Sequence, residues 1–363
     1  MTHADAPPLH RAVERVVALD GLRVAAVLGV VAIHVTGIMV SNPEISGSLS
    51  WWFALAVNAG NIWVVPVFVM VSGALLLGEG THRNGPASFY RRRLLRLGPA
   101  FVFWPLFYIF VVRMLISGAE LTPLGVVGLL AAGTPYTHLY FLFLIVGLYA
   151  VAPVLAAFLR GGGEGRARIF AASALAATIL TYTLASVFTA IGQPQSIVLN
   201  ALTQWLPYVG YFLAGWALRV FVPRGTTLAV VVIATVGLLA EIVWQSGTRA
   251  DHPTLNAVLP LGYLGLATAL AACGVFLSFQ GIFAAVALPP RARRVLATLS
   301  DAAFGVFLVH FVVLILVRMA AVALGGAVTS SLIVTVVIWA VVVAISFAIS
   351  LTARRVPYLR RLF

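Results

Sequence analysis

Asp20, Arg23 and His34 lie within one apolar stretch, LDGLRVAAVLGVVAIHVTGIMV. Arg23 and His34 are eleven residues apart. At 100° per residue that is three turns plus roughly 20°, so in a helix both side chains share a face. Asp20, three residues before Arg23, joins the same stripe. A charge in the middle of a membrane helix costs about 2.5 kcal/mol or more, and intramembrane ionisable groups face a cavity by default. An imidazole there suits general-base work near neutral pH. The ordinary readings are that Arg23 snorkels to lipid phosphate and that His34 bonds a neighbouring helix.

Other groups have spacings that could do chemistry. In FYRRRLLRLGP, residues 89–99, Arg91, Arg92, Arg93 and Arg96 crowd the start of a span together with Arg83. Arg93 and Arg96 are three apart and share a face. A guanidinium fork binds phosphate bidentately, although a basic loop can serve topology alone. His138 and Tyr140 open the stretch HLYFLFLIVGLY, and His310 falls in SDAAFGVFLVHFVVL, about nine residues into its span. Glu241 lies at a depth close to that of His34 in another span, where a carboxylate could orient the imidazole. There is no phosphate-binding glycine loop, no zinc-protease helix, no serine nucleophile elbow and no cysteine–histidine metal motif. No metal is expected.

These residues must be positioned by a membrane bundle. Of 363 residues, 62% are hydrophobic and 9% charged, with mean hydropathy +1.06. That composition excludes a soluble globular domain and predicts an all-α polytopic membrane protein. Ten stretches are long enough to cross a bilayer, near 18–40, 51–77, 97–117, 137–159, 168–190, 199–218, 225–244, 256–279, 301–322 and 328–352. The shorter apolar stretch 121–133 reads as an interfacial or re-entrant segment. All 23 basic residues are arginine. With both termini cytoplasmic, twenty of them fall at the inner side, and only Arg113, Arg249 and Arg318 in the outer half, as the positive-inside rule requires. The formal charge of +13 therefore serves topology, and no nucleic-acid partner is implied. The division is a cytoplasmic tail over 1–17, a membrane domain over 18–353 and a basic cytoplasmic tail over 354–363. The tail reads as uncleaved, with room for a short interfacial helix. One cysteine, Cys273, excludes an intramolecular disulfide.

With these motifs in order, the chain resembles the acyltransferase 3 family of bacterial membrane acyltransferases over nearly its whole length. The resemblance rests on Asp20-Gly-Leu-Arg23 with His34; on VPVFVMVSGALLL, which includes Ser72 and Gly73; and on Arg93-x-x-Arg96 before Pro99. It continues through His138-Leu-Tyr140-Phe-Leu142, where Tyr stands for the family's Trp, then YFLAGW from Tyr211 to Trp216, and Ser300 with Phe304, Gly305, Leu308 and His310. The stand-alone branch that includes the enterobacterial common antigen O-acetyltransferase is the nearest in pattern.

The resemblance implies transfer of an acetyl group from acetyl-CoA, a co-substrate and not a bound cofactor, to a hydroxyl of a cell-surface glycan or glycolipid. His34 would be the essential imidazole, as base or as transient acyl carrier. Arg23, Arg93 and Arg96 would engage the donor's phosphates or hold the cavity together, and Arg92 in the same basic cluster is expected at the donor with them. Asp20, Ser72, His138, Tyr140, Glu241 and His310 would bind the acceptor or support the site. The expected setting is a bacterial inner membrane, with membrane lipids around the bundle and a homodimer left open. The competing class is a secondary transporter of lipid-linked sugars, which also carries intramembrane charge; dependence on an acyl donor separates the two. A sensor or scaffold has little sequence in its favour.

Overall fold

In a computed structural model, residues 8–363 are described, with side chains from Val17 onward except that of Glu164. Residues 1–7 of the expected tail lie outside this range. From Pro8 the chain is already helical and runs unbroken into the first span, α1 (Pro8–Val40). The second span is two helices, α2 (Leu49–Gly60) and α3 (Val64–Leu76), parted by a turn at 61–63. A single turn, α4 (Glu79–His82), leads to α5 (Gly85–Phe107), which continues as a π-helical segment over Tyr108–Ile116. The stretch expected at 121–133 is a nine-residue helix, α6 (Pro123–Ala131), capped by Thr122. Then come α7 (Tyr140–Arg160) and α8 (Gly163–Ala190). After them lie α9 (Val209–Leu218), α10 (Gly225–Gly247) and the short α11 (Pro253–Val258). The chain ends with α12 (Leu266–Ala285), α13 (Pro290–Ala323) and α14 (Leu332–Ala353).

The architecture is all-α, with no strand among the described residues. Among the described residues, nine helical stretches are long and apolar enough to cross a membrane. The expected tenth, over 199–218, is instead a helix of 13 residues, Leu206–Leu218, roughly 20 Å long against a hydrocarbon core of about 30 Å. The cause lies in QPQSIVLNALTQWLP. Gly192, at φ 78°, ends α8; Pro194 keeps the helix from resuming and Pro207 is accommodated only in the first turn of the short helix; and Asn200 spends its side chain on a local turn bond. The following expected span, 256–279, is displaced for a similar reason: helix α12 begins only at Leu266, after Pro260 and Gly262.

Helix α1 is the hub. It packs on α2, α3, α12, α13 and α14, while α3 packs on α9 and α9 on α8. The α3–α9 contact is set by paired glycines. A Cβ on Gly73 would strike the carbonyl of Phe212, and one on Gly215 the carbonyl of Met70. Small residues let membrane helices close to backbone contact, and that accounts for the glycines in SGALLL and YFLAGW. Helices α8 and α10 are the least buried of the long helices; with no soluble-type polar face they present apolar side chains to lipid.

Candidate functional site

Near the arginine-rich end, α1, α3, α5, α7 and α13 surround a cavity of about 280 Å³ lined by Arg23, Ser72, Arg93, Arg96, Tyr149, Ser300 and Asp301 on its polar side. Five helices thus contribute guanidinium or hydroxyl groups to one space that the sequence could only align one helix at a time. Asp20 stands behind the cavity. Its Oδ1 accepts the Ser300 hydroxyl at 2.6 Å and lies 3.8 Å from Arg23. The carboxylate is therefore committed to holding α1 against α13 and aiming Arg23, consistent with a supporting role. Ser72 donates to the carbonyl of Phe68 at 3.0 Å, which leaves its oxygen lone pairs as acceptors.

Arg93 is seated by aromatic faces. Its guanidinium lies 5.5 Å from the ring of Phe89 and 5.6 Å from that of Tyr149, and its Nε is buried without a hydrogen-bond partner. A buried guanidinium N–H with no acceptor costs free energy unless an anion supplies one. His82 braces this seat. It stacks on Phe89 at 4.8 Å and bonds the last-turn carbonyl of α3, Leu76, at 2.7 Å. Burial lowers its pKa, and Arg160, Arg93 and Arg92 add to that against the opposing effect of the Leu76 carbonyl. Arg92, expected with the others, sits apart: it is exposed and spends its guanidinium on Ser88 and the carbonyl of Thr81. At 100° per residue, neighbours in a helix cannot face the same way.

The apolar end of the cavity is closed by Phe68, Phe141 and Phe307. Phe141 lies 6.0 Å from Phe68 and 5.4 Å from Phe307, centre to centre. Behind Phe307, whose ring is 5.3 Å from that of His138, three imidazoles meet. His34 to His310 is 5.4 Å, His310 to His138 is 4.9 Å, and His34 to His138 is 6.5 Å. The sequence placed these three in three different spans; the fold brings them together. They do not form a metal site: no group of three metal-ligating side chains converges among the described residues. His310 is fully buried and His138 is 3% exposed, whereas His34 is partly accessible.

Two expected members are elsewhere. Glu241 is on α10, which packs on α2 and α12; it has no hydrogen bond or ion pair with His34, and one carboxylate oxygen is buried without a partner. Equal depth did not mean equal azimuth, so the suggested pairing is not formed. Tyr140 is buried beside Tyr208 and Tyr263, two residues from His138 and so on another side of the chain.

The sequence reading missed several residues that build the site. The Tyr108 hydroxyl donates to the carbonyl of Leu308 at 2.8 Å and accepts from the amide of Val312 at 3.2 Å. It stands in the helical ladder of α13, on either side of His310, while its ring lies 4.8 Å from His138. Tyr108 is the first residue of the π-helical segment, a geometry found often at functional sites. Phe311 covers His34 at 4.8 Å and stacks on His138 at 5.3 Å. Arg318 donates to the carbonyls of His34 and Val35, both at 2.9 Å, and pins the far half of α1 to α13. The one available signal for Arg318 was a lone cation in an apolar span.

The profile of the Acyltransferase domain family (acyltransferase 3) matches residues 16–354. Comparison with curated proteins and with solved structures returned no match.

Proposed function

The chain belongs to the acyltransferase 3 family, and from that premise we propose that it is a membrane O-acetyltransferase moving acetyl from acetyl-CoA to a hydroxyl of a cell-surface glycan or glycolipid. The observation that carries this reading is the stacked order of the site: an arginine cavity, a layer of phenyl rings, and then three imidazoles. A donor with an anionic end and a thin neutral arm fits that order. Its phosphates would take charge-assisted bonds from Arg23, Arg93 and Arg96, and the unpartnered Nε of Arg93 supports an anion there. The pantetheine arm, with no charge to desolvate, would pass the rings and bring the thioester to His34. The arginine-rich end would face the cytoplasm, where acyl-CoA is available, and the acceptor would approach from the opposite end of the bundle.

In this mechanism His34 is the reacting imidazole, partly accessible where its two companions are buried. Arg318, bonded to the carbonyls of His34 and Val35, fixes the stretch of α1 that carries it.

Purified protein in lipid nanodiscs, given acetyl-CoA and an extract of the source cell's envelope glycans and glycolipids, should add acetyl groups to one component by mass spectrometry. His34→Ala should abolish that transfer while melting and eluting as the wild type does. Wild-type-rate transfer by His34→Ala would end this reading. Flux of a lipid-linked sugar without any acyl transfer would favour a transporter instead.

A further inference from the structure

We propose that His310 is a second catalytic residue, the base that takes the proton of the acceptor hydroxyl, so that His34 is left to carry the acetyl group. The inference rests on the acetyltransferase reading and divides its chemistry between two imidazoles.

The argument begins with a tautomer. The Nδ1 of His310 lies 2.7 Å from the carbonyl of Phe307. A carbonyl can only accept, so Nδ1 carries the hydrogen. In the neutral ring Nε2 is then a bare lone pair. That nitrogen is buried and has no hydrogen-bond partner, in a residue with no exposed surface. His138, 3% exposed, lies beside it and is held by the backbone of Leu308. Buried polar atoms in folded proteins are nearly always paired. The unpaired Nε2 of His310 in this cluster therefore points to a polar ligand held there at some stage of turnover.

The dimensions suit a single oxygen. The triangle of ring centres has sides of 4.9, 5.4 and 6.5 Å. An oxygen hydrogen-bonded to an imidazole sits roughly 4 Å from the ring centre, so a hydroxyl at His310 is within reach of an acetyl group on His34. Once it carries the acetyl group His34 is not placed to be the base, because one nitrogen is in the N–C bond and the other lies across the ring from the acetyl carbon that the hydroxyl attacks. A second base must then deprotonate the alcohol, and His310 has its lone pair fixed for that by the Phe307 carbonyl. An orienting carbonyl on the far nitrogen serves as the orienting carboxylate does in a serine-hydrolase triad.

The steps balance. A nitrogen of His34 attacks the thioester carbonyl; the C–N bond forms, the C–S bond breaks, and the coenzyme A thiolate takes the proton from the other nitrogen of His34. The acceptor hydroxyl then gives its proton to Nε2 of His310 as its oxygen attacks the acetyl carbon. The C–O bond forms, the C–N bond breaks, and His310 returns the proton to His34. The products are the acetyl ester and coenzyme A thiol.

Hydroxylamine separates the roles, because it attacks an acyl group at neutral pH without a base. Each protein in nanodiscs is given acetyl-CoA with either hydroxylamine or the envelope extract as acceptor. His310→Asn keeps an N–H donor near the Nδ1 position for the Phe307 carbonyl and lacks the lone pair. It should make acetohydroxamate within about 3-fold of the wild type and lose acetylation of the extract by 10²-fold or more, the usual scale of general-base catalysis. His34→Ala should lose both products. Parallel loss of both products in a folded His310→Asn protein, or loss of neither, overturns the assignment. If His310→Asn does not elute as a single species, His310→Gln, also without a base, is read in the same way. If the wild type acetylates neither acceptor, the failure belongs to the acetyltransferase reading itself.

Discussion

Arg92 and Arg93 are adjacent in sequence and unlike in surroundings. Arg93 faces the cavity between two aromatic rings with one N–H unpaired, whereas Arg92 is exposed and bonded to Ser88 of its own helix and to Thr81 of α4. Arg93→Ala should therefore raise the KM for acetyl-CoA by roughly 10- to 100-fold, on the scale of a hydrogen bond to a charged group, with a smaller change in kcat. Arg92→Ala should stay within about 2-fold on both, since exposed contacts of this kind contribute little. Steady-state kinetics with varied acetyl-CoA measures both; equal effects of the two substitutions would remove Arg93 from the donor site. At this scale much was legible in the sequence. Arg23, His34, His138 and His310 are polar groups in apolar spans, and their cost marks them. Tyr108, Phe307 and Phe311 carry no such mark, because aromatic residues are routine in a membrane core.

Tyr108 joins α13 to the chain of α5 at the point where the latter departs from regular helix. Pro99 and Pro105 remove donors from the ladder of α5, the chain widens into a π segment, and the tyrosine hydroxyl reaches into the ladder of α13 beside His310. Such an insertion is a known cause of helix distortion. Tyr108→Phe leaves the amide of Val312 without its oxygen partner in a buried setting, a loss of roughly 1–3 kcal/mol. The variant should melt lower in detergent and lose transfer activity beyond what the stability change explains, because the backbone that carries His310 is no longer held. A variant that melts lower but transfers at full rate would confine Tyr108 to the fold. The sequence gives the existence of most spans, since length and hydropathy suffice for that. It does not give the break at 61–63, the π segment or the short helix Leu206–Leu218, because these depend on prolines, glycines and neighbours that a hydropathy window averages away.

Across the whole molecule the site needs a direction. The arginine cavity lies at one end of the bundle, and the imidazoles lie behind it toward the other. Donor and acceptor can meet from opposite sides only if the arginine-rich end faces the acyl-CoA pool. Twenty of 23 arginines lie at that end if the nine long spans and the short helix Leu206–Leu218 cross in alternation, which under the positive-inside rule would orient it to the cytoplasm. Cys273 is the one cysteine, so a Cys273→Ser background is free of thiols. In it, Gly80→Cys places a thiol on an exposed turn at the arginine end, where a side chain meets nothing. Ser196→Cys places one in the exposed segment between α8 and α9. A membrane-impermeant maleimide applied to intact cells (spheroplasts, if an outer membrane is present) should label Ser196→Cys and leave Gly80→Cys unlabelled until the membrane is permeabilised. The reverse pattern would put the arginine cavity on the wrong side for a cytoplasmic thioester, and the path from cavity to imidazoles would have to run the other way.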